Sequence, residues 1–504
     1  MRKRHPSGAD LLALGLAAAL AGCAPAPDDA GITPEGHLRL GDIEFAPCSL
    51  STVGATAVEA QCAAFAVPED HAAPDGRRIE LAIALLPARA QAEPDPVVMI
   101  AGGPGQSALE SYPQVAQAFS DVRRNRHVLL VDARGTGGSH PLRCEEEDGA
   151  NAFGPDEASP EAMRAFTERC RDALSEDTDL RHYATMDHVR DLELVRQALR
   201  VPQLNLVGIS YGTRVAQQYA KVFREPTRTV VLDGVAPNSM VLGQEHARNL
   251  ERALDVQFER CRAEPACVEH LGDPSRQLSA VRARLEAGEL EPVQYRHPVS
   301  GEWLEDRPAF FHLATLLRMF SYQPAAAATL PLLLHEASED RYAPMMAQSR
   351  MLMDSVGGQI AHGMQLSVIC TEDVADMAPD PDDAGSLLGN SMVELFQAQC
   401  AAWPTAPRAE GFRDPLTGDV PVLAISGEYD PVTPARYGEE VIRHLPRGRH
   451  LVAPGQGHNV IGAGCMPKLF AQFVERADAE GIDARCLDRL AAAPPFAGNY
   501  GWEP

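Results

Sequence analysis

The chain has 504 residues, of which 45% are hydrophobic and 23% are charged, and its formal net charge is −25 at pH 7. This length is enough for about two to three domain-sized units with a large buried core. The negative charge disfavours nucleic acid as a partner, because its phosphates would repel the protein, and the moderate fraction of charged residues excludes global disorder.

The N-terminal residues have the features of an export signal. Basic residues at 2–4 precede an apolar segment over 11–20, which is too short to span a bilayer stably. The segment ends in LAGC at 20–23, which is similar to a bacterial lipobox. In such a signal the cysteine becomes the lipidated N-terminus. We therefore expect a signal peptide over 1–22 and a lipid on Cys23.

A Pro-, Ala- and Asp-rich stretch follows and predicts a tether over 23–36. An ordinary signal peptide cut near Ala21 or Ala24 is the alternative to the lipobox. Either signal predicts an exported protein, and a lipidated Cys23 would place it in the outer membrane or periplasm of a Gram-negative cell. The lipid would then be its only contact with the membrane.

Strand and helix patterns alternate in the first half of the chain. Between residues 45 and 86, short apolar segments alternate with turn residues, as in an antiparallel sheet edge. A buried strand over 97–100 stops at the loop AGGPG of 101–105, and a second strand covers 127–131. Apolar residues on one face predict an amphipathic helix over 187–200.

The pentapeptide GISYG at 208–212 has the flanks of a nucleophile elbow. A short apolar strand over 204–207 precedes it, and apolar residues at helical spacing follow it over 215–223. A strand, a sharp turn with glycines on both sides and a helix would present the Oγ of Ser210 at the edge of the sheet. Ser210 is therefore the predicted nucleophile, and an ordinary glycine–serine turn is the alternative.

The pattern changes after the next strand, which is predicted over 229–232. From about residue 240 to 410 the chain is predicted to be mainly helical, for example over 309–320. Alternation of strands and helices returns at 422–426 and again near 451–452.

These patterns predict an α/β protein with a mostly parallel central sheet and helices on both of its faces. The first part of the core would cover residues 37–240, a helical cap insertion 241–410, and the C-terminal part of the core 411–504. The insertion follows the strand after the elbow, where a cap over an active site would lie.

Serine needs a base and an orienting acid to act as a nucleophile, and in this type of site they follow it in the order acid, then histidine. Asp430 comes directly after the predicted strand 422–426, and His458 follows the last one. We predict a triad of Ser210, His458 and Asp430. Asp233, at the end of another strand, is the competing acid. Asp430 in a plain turn and His458 as an ordinary surface or core histidine are the alternatives.

An acyl-transfer site also needs donors for the oxyanion of its tetrahedral intermediate. The backbone N–H of Tyr211, next to the nucleophile, is the first predicted donor. The second is Gly103, because the missing side chains of its loop let backbone N–H groups approach the substrate. The alternative for Gly103 is a purely structural turn.

Cysteine usage agrees with export. Apart from Cys23, ten cysteines remain, and an even number in an exported chain suggests disulfides. We expect nearest neighbours in sequence to pair, as Cys48–Cys62, Cys144–Cys170, Cys261–Cys267, Cys370–Cys400 and Cys465–Cys486. The chain has no C-x-x-C motif or close Cys/His cluster, so we expect no metal and no other cofactor.

Several ordered motifs together resemble the proline iminopeptidase and tripeptidyl aminopeptidase family of α/β-hydrolases. They are GGPG at 102–105, DARGTGGS at 132–139, GISYG at 208–212, GEYDPVTP at 427–434 and GH at 457–458. The resemblance runs from about residue 45 to 490. The family's proline-specific members begin the first motif with histidine, where this chain has Ala101, and this favours the tripeptidyl branch.

The resemblance implies carboxylates in the cap region that bind the free ammonium of a peptide. Glu372 and Asp373, beside Cys370, are the candidates, and a solvated acidic turn is the alternative. A buried carboxylate facing the substrate would exclude peptides with a blocked N-terminus. Asp132 and Arg134 are expected to hold their own loop together.

The function that follows is an exported serine exopeptidase that hydrolyses small peptides from a free N-terminus through an acyl-enzyme. A carboxylic ester hydrolase with the same triad is the alternative, since a fold does not determine a substrate. A third hypothesis is a non-catalytic surface lipoprotein, against which the complete triad argues. Epoxide hydrolases and haloalkane dehalogenases are disfavoured because they have aspartate at the elbow.

Overall fold

The computed structural model describes residues 30–32, 36–144, 159–356 and 358–497. The predicted signal peptide, Cys23 and most of the predicted tether lie outside these residues, whereas residues 30–32 of that stretch form a short strand. Within the described ranges, no helix combines the length and the apolar character needed to cross a membrane.

The described residues form thirteen strands and fifteen α-helices. The strands are β1 (Ala30–Ile32), β2 (Leu38–Leu40), β3 (Ile43–Leu50), β4 (Val58–Pro68), β5 (Arg78–Leu86), β6 (Val97–Ile100), β7 (Val128–Val131), β8 (Leu204–Ile209), β9 (Thr227–Asp233), β10 (Val293–Arg296), β11 (Trp303–Asp306), β12 (Val422–Gly427) and β13 (Gly448–Ala453). The helices are α1 (Ala108–Val115), α2 (Pro160–Leu174), α3 (Thr185–Ala198), α4 (Tyr211–Val222), α5 (His246–Ala263), α6 (Pro265–Leu271), α7 (Pro274–Ala287), α8 (Phe310–Phe320), α9 (Pro324–Ala327), α10 (Leu330–Ser338), α11 (Ala343–Val356), α12 (His362–Glu372), α13 (Ser391–Cys400), α14 (Ala435–Ile442) and α15 (Met466–Arg476).

One large sheet organises the molecule. Its strand order is β1-β2-β3-β4-β5-β7-β6-β8-β9-β12-β13. The strands from β1 to β5 pair antiparallel, as do β5 and β7, whereas β7, β6, β8, β9, β12 and β13 run parallel. This confirms the predicted antiparallel edge and mostly parallel centre. The carboxyl ends of the parallel strands meet at one edge, where sites of such folds are built.

The central strands are apolar because helices cover both faces of the sheet. Every residue of β6 and β7 is buried. In one core cluster Val98 and Leu206 of the sheet pack with Tyr219 of α4. In another, Met99 and Val207 of the sheet pack with Phe470 of α15. Parallel strands buried on both faces have this continuous apolar character.

The segment between β9 and β12 is mainly helical, as predicted, and contains α5 to α13. Its helices share a separate apolar cluster that includes Leu254, Phe258, Leu313 and Leu317. The exact boundaries 241 and 410 stay a prediction. The segment also contains the hairpin β10–β11, which the sequence did not indicate. Its strands have four residues each and are largely exposed, and the alternation of apolar and polar residues over 293–296 is too short to mark a strand.

All five predicted disulfides are present. Each joins nearest neighbours in sequence, as Cys48–Cys62, Cys144–Cys170, Cys261–Cys267, Cys370–Cys400 and Cys465–Cys486. The fourth connects α12 to α13. The fifth anchors the start of α15, just after the loop that contains His458.

A fully buried guanidinium holds several elements around β7. Arg134 forms two hydrogen bonds with the carboxylate of Asp191, at 2.7 and 2.6 Å. It also donates to the backbone carbonyls of Glu69 and His182, at 2.6 and 2.7 Å, and to that of Pro68. Arg134 and Asp191 both have side chains with 0% exposure. These bonds support the predicted role of Arg134 in holding its loop.

We expect Arg134→Ala to lower the free energy of unfolding by about 3–5 kcal/mol, because the substitution removes the guanidinium that compensates the buried charge of Asp191 and leaves it with His71, at 3.1 Å. Arg124→Ala is the matched control. Its ion pair with Asp121 is 3.2 Å long and its side chain is 75% exposed, so the loss should stay below about 1 kcal/mol. Denaturant-induced unfolding measures both variants. An equal loss in the two would contradict the assigned importance of the buried pair.

Candidate active site

Ser210 lies in a sharp turn between β8 and α4. Its backbone has φ 55° and ψ −122°, which is unfavourable for a residue with a side chain. The turn leaves no room beside it: a Cβ on Gly208 would lie 2.4 Å from the carbonyl oxygen of Gly212. A Cβ on Gly212 would lie 2.3 Å from that of Ile100. The glycines of the pentapeptide are therefore required by contact, and the local geometry is that of a nucleophile elbow.

The predicted acid and base are paired at the same edge of the sheet. Asp430 follows β12 and His458 follows β13. The Nδ1 of His458 lies 2.7 Å from the Oδ2 of Asp430, and the two residues are 7% and 3% exposed. Because the carboxylate binds Nδ1–H, the Nε2 of the ring is the free acceptor. This is the tautomer that a general base for serine needs.

Three further donors hold the carboxylate of Asp430. Its Oδ1 accepts the backbone N–H groups of Val432 and Thr433, each at 2.8 Å. The hydroxyl of Thr433 donates to Oδ2 at 2.9 Å. Burial alone would raise the pKa of Asp430, but the charge of His458 and these hydrogen bonds outweigh it, and the net pKa is lowered. The carboxylate therefore stays ionised beside the histidine.

The pKa of His458 is shifted in the direction opposite to that of Asp430. Burial acts to lower the pKa of His458, whereas the charge and hydrogen bond of Asp430 raise it, and the net pKa is raised. Asp233 adds a smaller contribution in the same direction. The ring is thus easier to protonate than an ordinary histidine, as expected for a group that accepts the proton of a serine.

Asp233, the competing acid, binds backbone N–H groups and not the ring of His458. Its carboxylate accepts the backbone N–H groups of Val460 and Ile461, at 2.8 and 3.0 Å, and its backbone carbonyl accepts the N–H of Ser210 at 2.7 Å. Burial raises the pKa of Asp233 to about 6. The ring nitrogen of His458 pairs with Asp430, and Asp233 instead holds the elbow and the histidine loop together.

The predicted oxyanion loop reaches the elbow. A Cβ on Gly102 would lie 3.1 Å from the Cβ of Ser210, so this part of the loop runs directly beside the serine. Gly103 has φ 104° and precedes a cis bond to Pro104. In the described part of the chain, the N–H groups of Tyr211 and Gly103 have no hydrogen-bond acceptor. Both are free to serve as donors, and their roles stay predictions.

The middle of the helical segment contributes contacts that the sequence did not indicate. The backbone carbonyl of Tyr322, just after α8, accepts the N–H of His458 at 2.8 Å. The two rings also pack with their centroids 5.2 Å apart. Thr433 could have been suspected from its spacing to Asp430. No feature of the sequence around Tyr322 points to the histidine loop.

The structure disagrees with the predicted substrate-binding role of Asp373. This carboxylate is fully buried and pairs with Arg214 and with Arg413, each at 2.9 Å. It also accepts the backbone N–H of Leu242 at 3.2 Å. Both guanidinium groups and the N–H of Leu242 thus engage the carboxylate of Asp373 within the protein.

Glu372 is likewise engaged within the protein. Its Oε1 accepts the backbone N–H of Thr185 at 2.7 Å, and its Oε2 accepts the Thr185 hydroxyl at 2.9 Å. Burial raises the pKa of Glu372 to about 7, although Arg214 acts to lower it. These contacts also disagree with a carboxylate that faces the substrate.

Glu372 touches a cavity of about 640 Å³ whose other walls include α3 and the loop 406–409. Ser210, Asp430 and His458 are not among the described residues that line this cavity. Elsewhere in the described ranges, no group of three or more His, Cys, Asp or Glu side chains is arranged to hold a metal ion. The elbow at Ser210 and the paired His458 and Asp430 support acyl transfer through serine.

Comparison with known proteins agrees with this geometry. A family model for the alpha/beta hydrolase fold matches residues 95–462, a range that includes Ser210, Asp430 and His458. The serine protease Hip1 of Mycobacterium tuberculosis is 26% identical over 478 residues, which cover 88% of this chain and 91% of the relative. The tripeptidyl aminopeptidase of Streptomyces lividans is 25% identical over 438 residues, with coverage of 80% and 78%.

A third relative, a carboxylesterase B of Mycobacterium tuberculosis, is 26% identical over 497 residues, with coverage of 88% of this chain and 91% of the relative. The family match covers more than half of the chain, and the relatives confirm the resemblance to tripeptidyl aminopeptidases inferred from the motifs. The chain therefore belongs to the alpha/beta hydrolase fold family and is an enzyme of the serine hydrolase type.

Proposed function

We propose that the protein is an exported serine exopeptidase that releases short units from the free N-terminus of peptides. The hydrogen bond between His458 and Asp430, at the sheet edge that also presents Ser210, is the observation that carries the catalytic part of the proposal. The similarity to a tripeptidyl aminopeptidase over 80% of this chain supports the substrate class.

The reaction would proceed through an acyl-enzyme. The Oγ of Ser210 attacks the scissile carbonyl while the Nε2 of His458 takes the hydroxyl proton, and Asp430 stabilises the resulting imidazolium. The N–H groups of Tyr211 and Gly103 bind the oxyanion. His458 then gives its proton to the leaving amine. Water, deprotonated by the same ring, hydrolyses the ester of Ser210 and releases the peptide fragment.

A carboxylic ester hydrolase is the second candidate. The same triad cleaves esters, and a relative named carboxylesterase B covers as much of this chain as the serine protease does. The preference for a free N-terminus is supported by the relatives and not by Glu372 and Asp373, because both carboxylates are held by groups of the protein.

Export is supported by the five disulfides, which form in oxidising compartments. Attachment to a membrane through a lipid on Cys23 is part of the same proposal, with small peptides as the partners.

Ser210→Ala should reduce turnover by several orders of magnitude, because it removes the nucleophile. The assay compares tripeptidyl, prolyl and alanyl amides with free N-termini, their N-acetylated forms, and short acyl esters. Ser175→Ala, an exposed serine at the end of α2, is the matched control and should retain full activity. Turnover of the N-blocked esters alone would favour the esterase, and undiminished activity of Ser210→Ala would contradict the mechanism.

The raised pKa of His458 predicts a specific pH dependence. The ring must be neutral to act as a base, so kcat/KM should fall as the pH drops below a value above the ordinary histidine pKa of about 6.5. Asp430→Asn removes the charge that raises this pKa, and the acid limb should then move to lower pH while kcat falls by about 10⁴-fold. Asp233→Asn should shift the limb much less. An unchanged acid limb in Asp430→Asn would contradict the assignment.

Lipidation is tested at the mature N-terminus. Mass spectrometry of protein from membranes should find cleavage before Cys23 and a diacylglycerol-type mass on that residue. Cys23→Ser should release the protein from the membrane fraction without loss of specific activity, because the residue precedes the folded core. An unmodified N-terminus at Ala24 or beyond would exclude the lipid anchor and leave the exopeptidase proposal standing.

A further inference from the structure

A chain of hydrogen bonds links the residue after Ser210 to the end of α12. The hydroxyl of Tyr211 lies 2.6 Å from the Oγ1 of Thr185. Thr185 in turn donates its hydroxyl and its backbone N–H to the two carboxylate oxygens of Glu372, at 2.9 and 2.7 Å. The Thr185 hydroxyl donates its one proton to Glu372, so it accepts from the hydroxyl of Tyr211. Every donor in the chain therefore points towards Glu372.

All three side chains are buried, with Glu372 2% exposed. The low exposure shields this hydrogen-bond chain from bulk solvent, although Glu372 also touches the cavity described above. A second contact lies beside the hydrogen bonds of Tyr211, Thr185 and Glu372. Arg214, one helical turn after Tyr211, pairs with Asp373 at 2.9 Å. The C-terminal end of α12 thus contacts the first turn of α4 at two positions on one helix face. The contact is direct at Arg214 and runs through Thr185 at Tyr211.

The other end of Tyr211 is its backbone N–H, the first of α4. Among the described residues this group has no acceptor, as is usual for the first turn of a helix. An oxyanion donor is effective when it is held in place before the reaction, about 3 Å from the developing charge. Tyr211 therefore has a free backbone N–H next to Ser210 and a side chain whose hydroxyl is held by Thr185.

We propose that Thr185 and Glu372 are positioning residues that orient the N–H of Tyr211 in the oxyanion hole, and that Glu372 does not bind the substrate. The inference rests on the proposed acyl transfer through Ser210. In this role Glu372 helps to stabilise the oxyanion of every substrate, whether or not the substrate has a free N-terminus.

Tyr211→Phe and Thr185→Val each remove one link and keep the side-chain shape and the backbone. Both should lower kcat for a short p-nitrophenyl ester about tenfold, with KM unchanged within about twofold. The expected loss is smaller than the 10²- to 10³-fold cost of deleting a donor, because the N–H is displaced and not removed. Thr185→Ser keeps the hydroxyl and should restore a kcat close to that of the wild type.

Tyr219→Phe is the matched control. It removes a buried tyrosine hydroxyl from the same helix, bonded to Glu193 at 2.7 Å and two turns away from the elbow. It should lower the melting temperature without changing kcat. Rates are expressed per active site, counted by complete labelling of Ser210 with a fluorophosphonate, so that misfolded protein does not enter the comparison.

Glu372→Gln separates the two roles of the acid. A positioning role predicts that free-amine and N-acetylated peptide amides lose the same factor in kcat, so that their ratio stays constant. Loss of the preference for the free amine would restore the ammonium-binding role and overturn the proposal. An unchanged kcat in both Tyr211→Phe and Thr185→Val would overturn it as well.

Failure of the underlying function has a different signature. If the wild-type protein shows no turnover that depends on Ser210, the proposed acyl transfer and the positioning role fall together. If the wild type is active and the Tyr211, Thr185 and Glu372 variants keep its kcat, only the positioning role is contradicted.

Discussion

The strained backbone at Ser210 is the constraint on which the site depends. A residue with φ 55° and ψ −122° persists only where its surroundings hold it. Here the N–H of Ser210 bonds to the carbonyl of Asp233, and the turn packs so closely that Gly208 and Gly212 cannot carry side chains. The carboxylate of Asp233 binds the loop after His458. One residue of β9 thereby ties the strained serine to the loop of its proposed base.

Buried charge determines how the helices pack around this edge. A buried ion is tolerated only with a partner, so each buried guanidinium fixes the relative position of two elements. Arg134 joins the end of β7 to α3 through Asp191, and Arg214 joins α4 to the end of α12 through Asp373. Apolar packing alone would allow these helices to slide, whereas the paired charges define one register.

The sequence predicted what short-range patterns determine. Strand ends with glycine-rich loops placed Ser210, Asp430 and His458 at one edge, and the structure brings the latter two within 2.7 Å. The disulfides followed from proximity in sequence. Glu372 and Asp373 were assigned to the substrate from the family resemblance. Their contacts with Thr185 and Arg214 could not be predicted, because these partners are distant in sequence and no local pattern reveals them. The hairpin β10–β11 was missed because its strands are short and exposed.

The helical segment contacts three of the elements that carry the site. Tyr322 binds the N–H of His458, Ala361 donates its N–H to the carbonyl of Gly105 at 2.9 Å, and Glu372 reaches Tyr211 through Thr185. These contacts reach the histidine loop, the oxyanion loop and the nucleophile helix. Because one segment contacts all three of these parts, we expect a change in it that alters substrate preference to alter the rate as well. Differences between peptidase and esterase relatives in this segment should therefore appear in kcat as well as in KM.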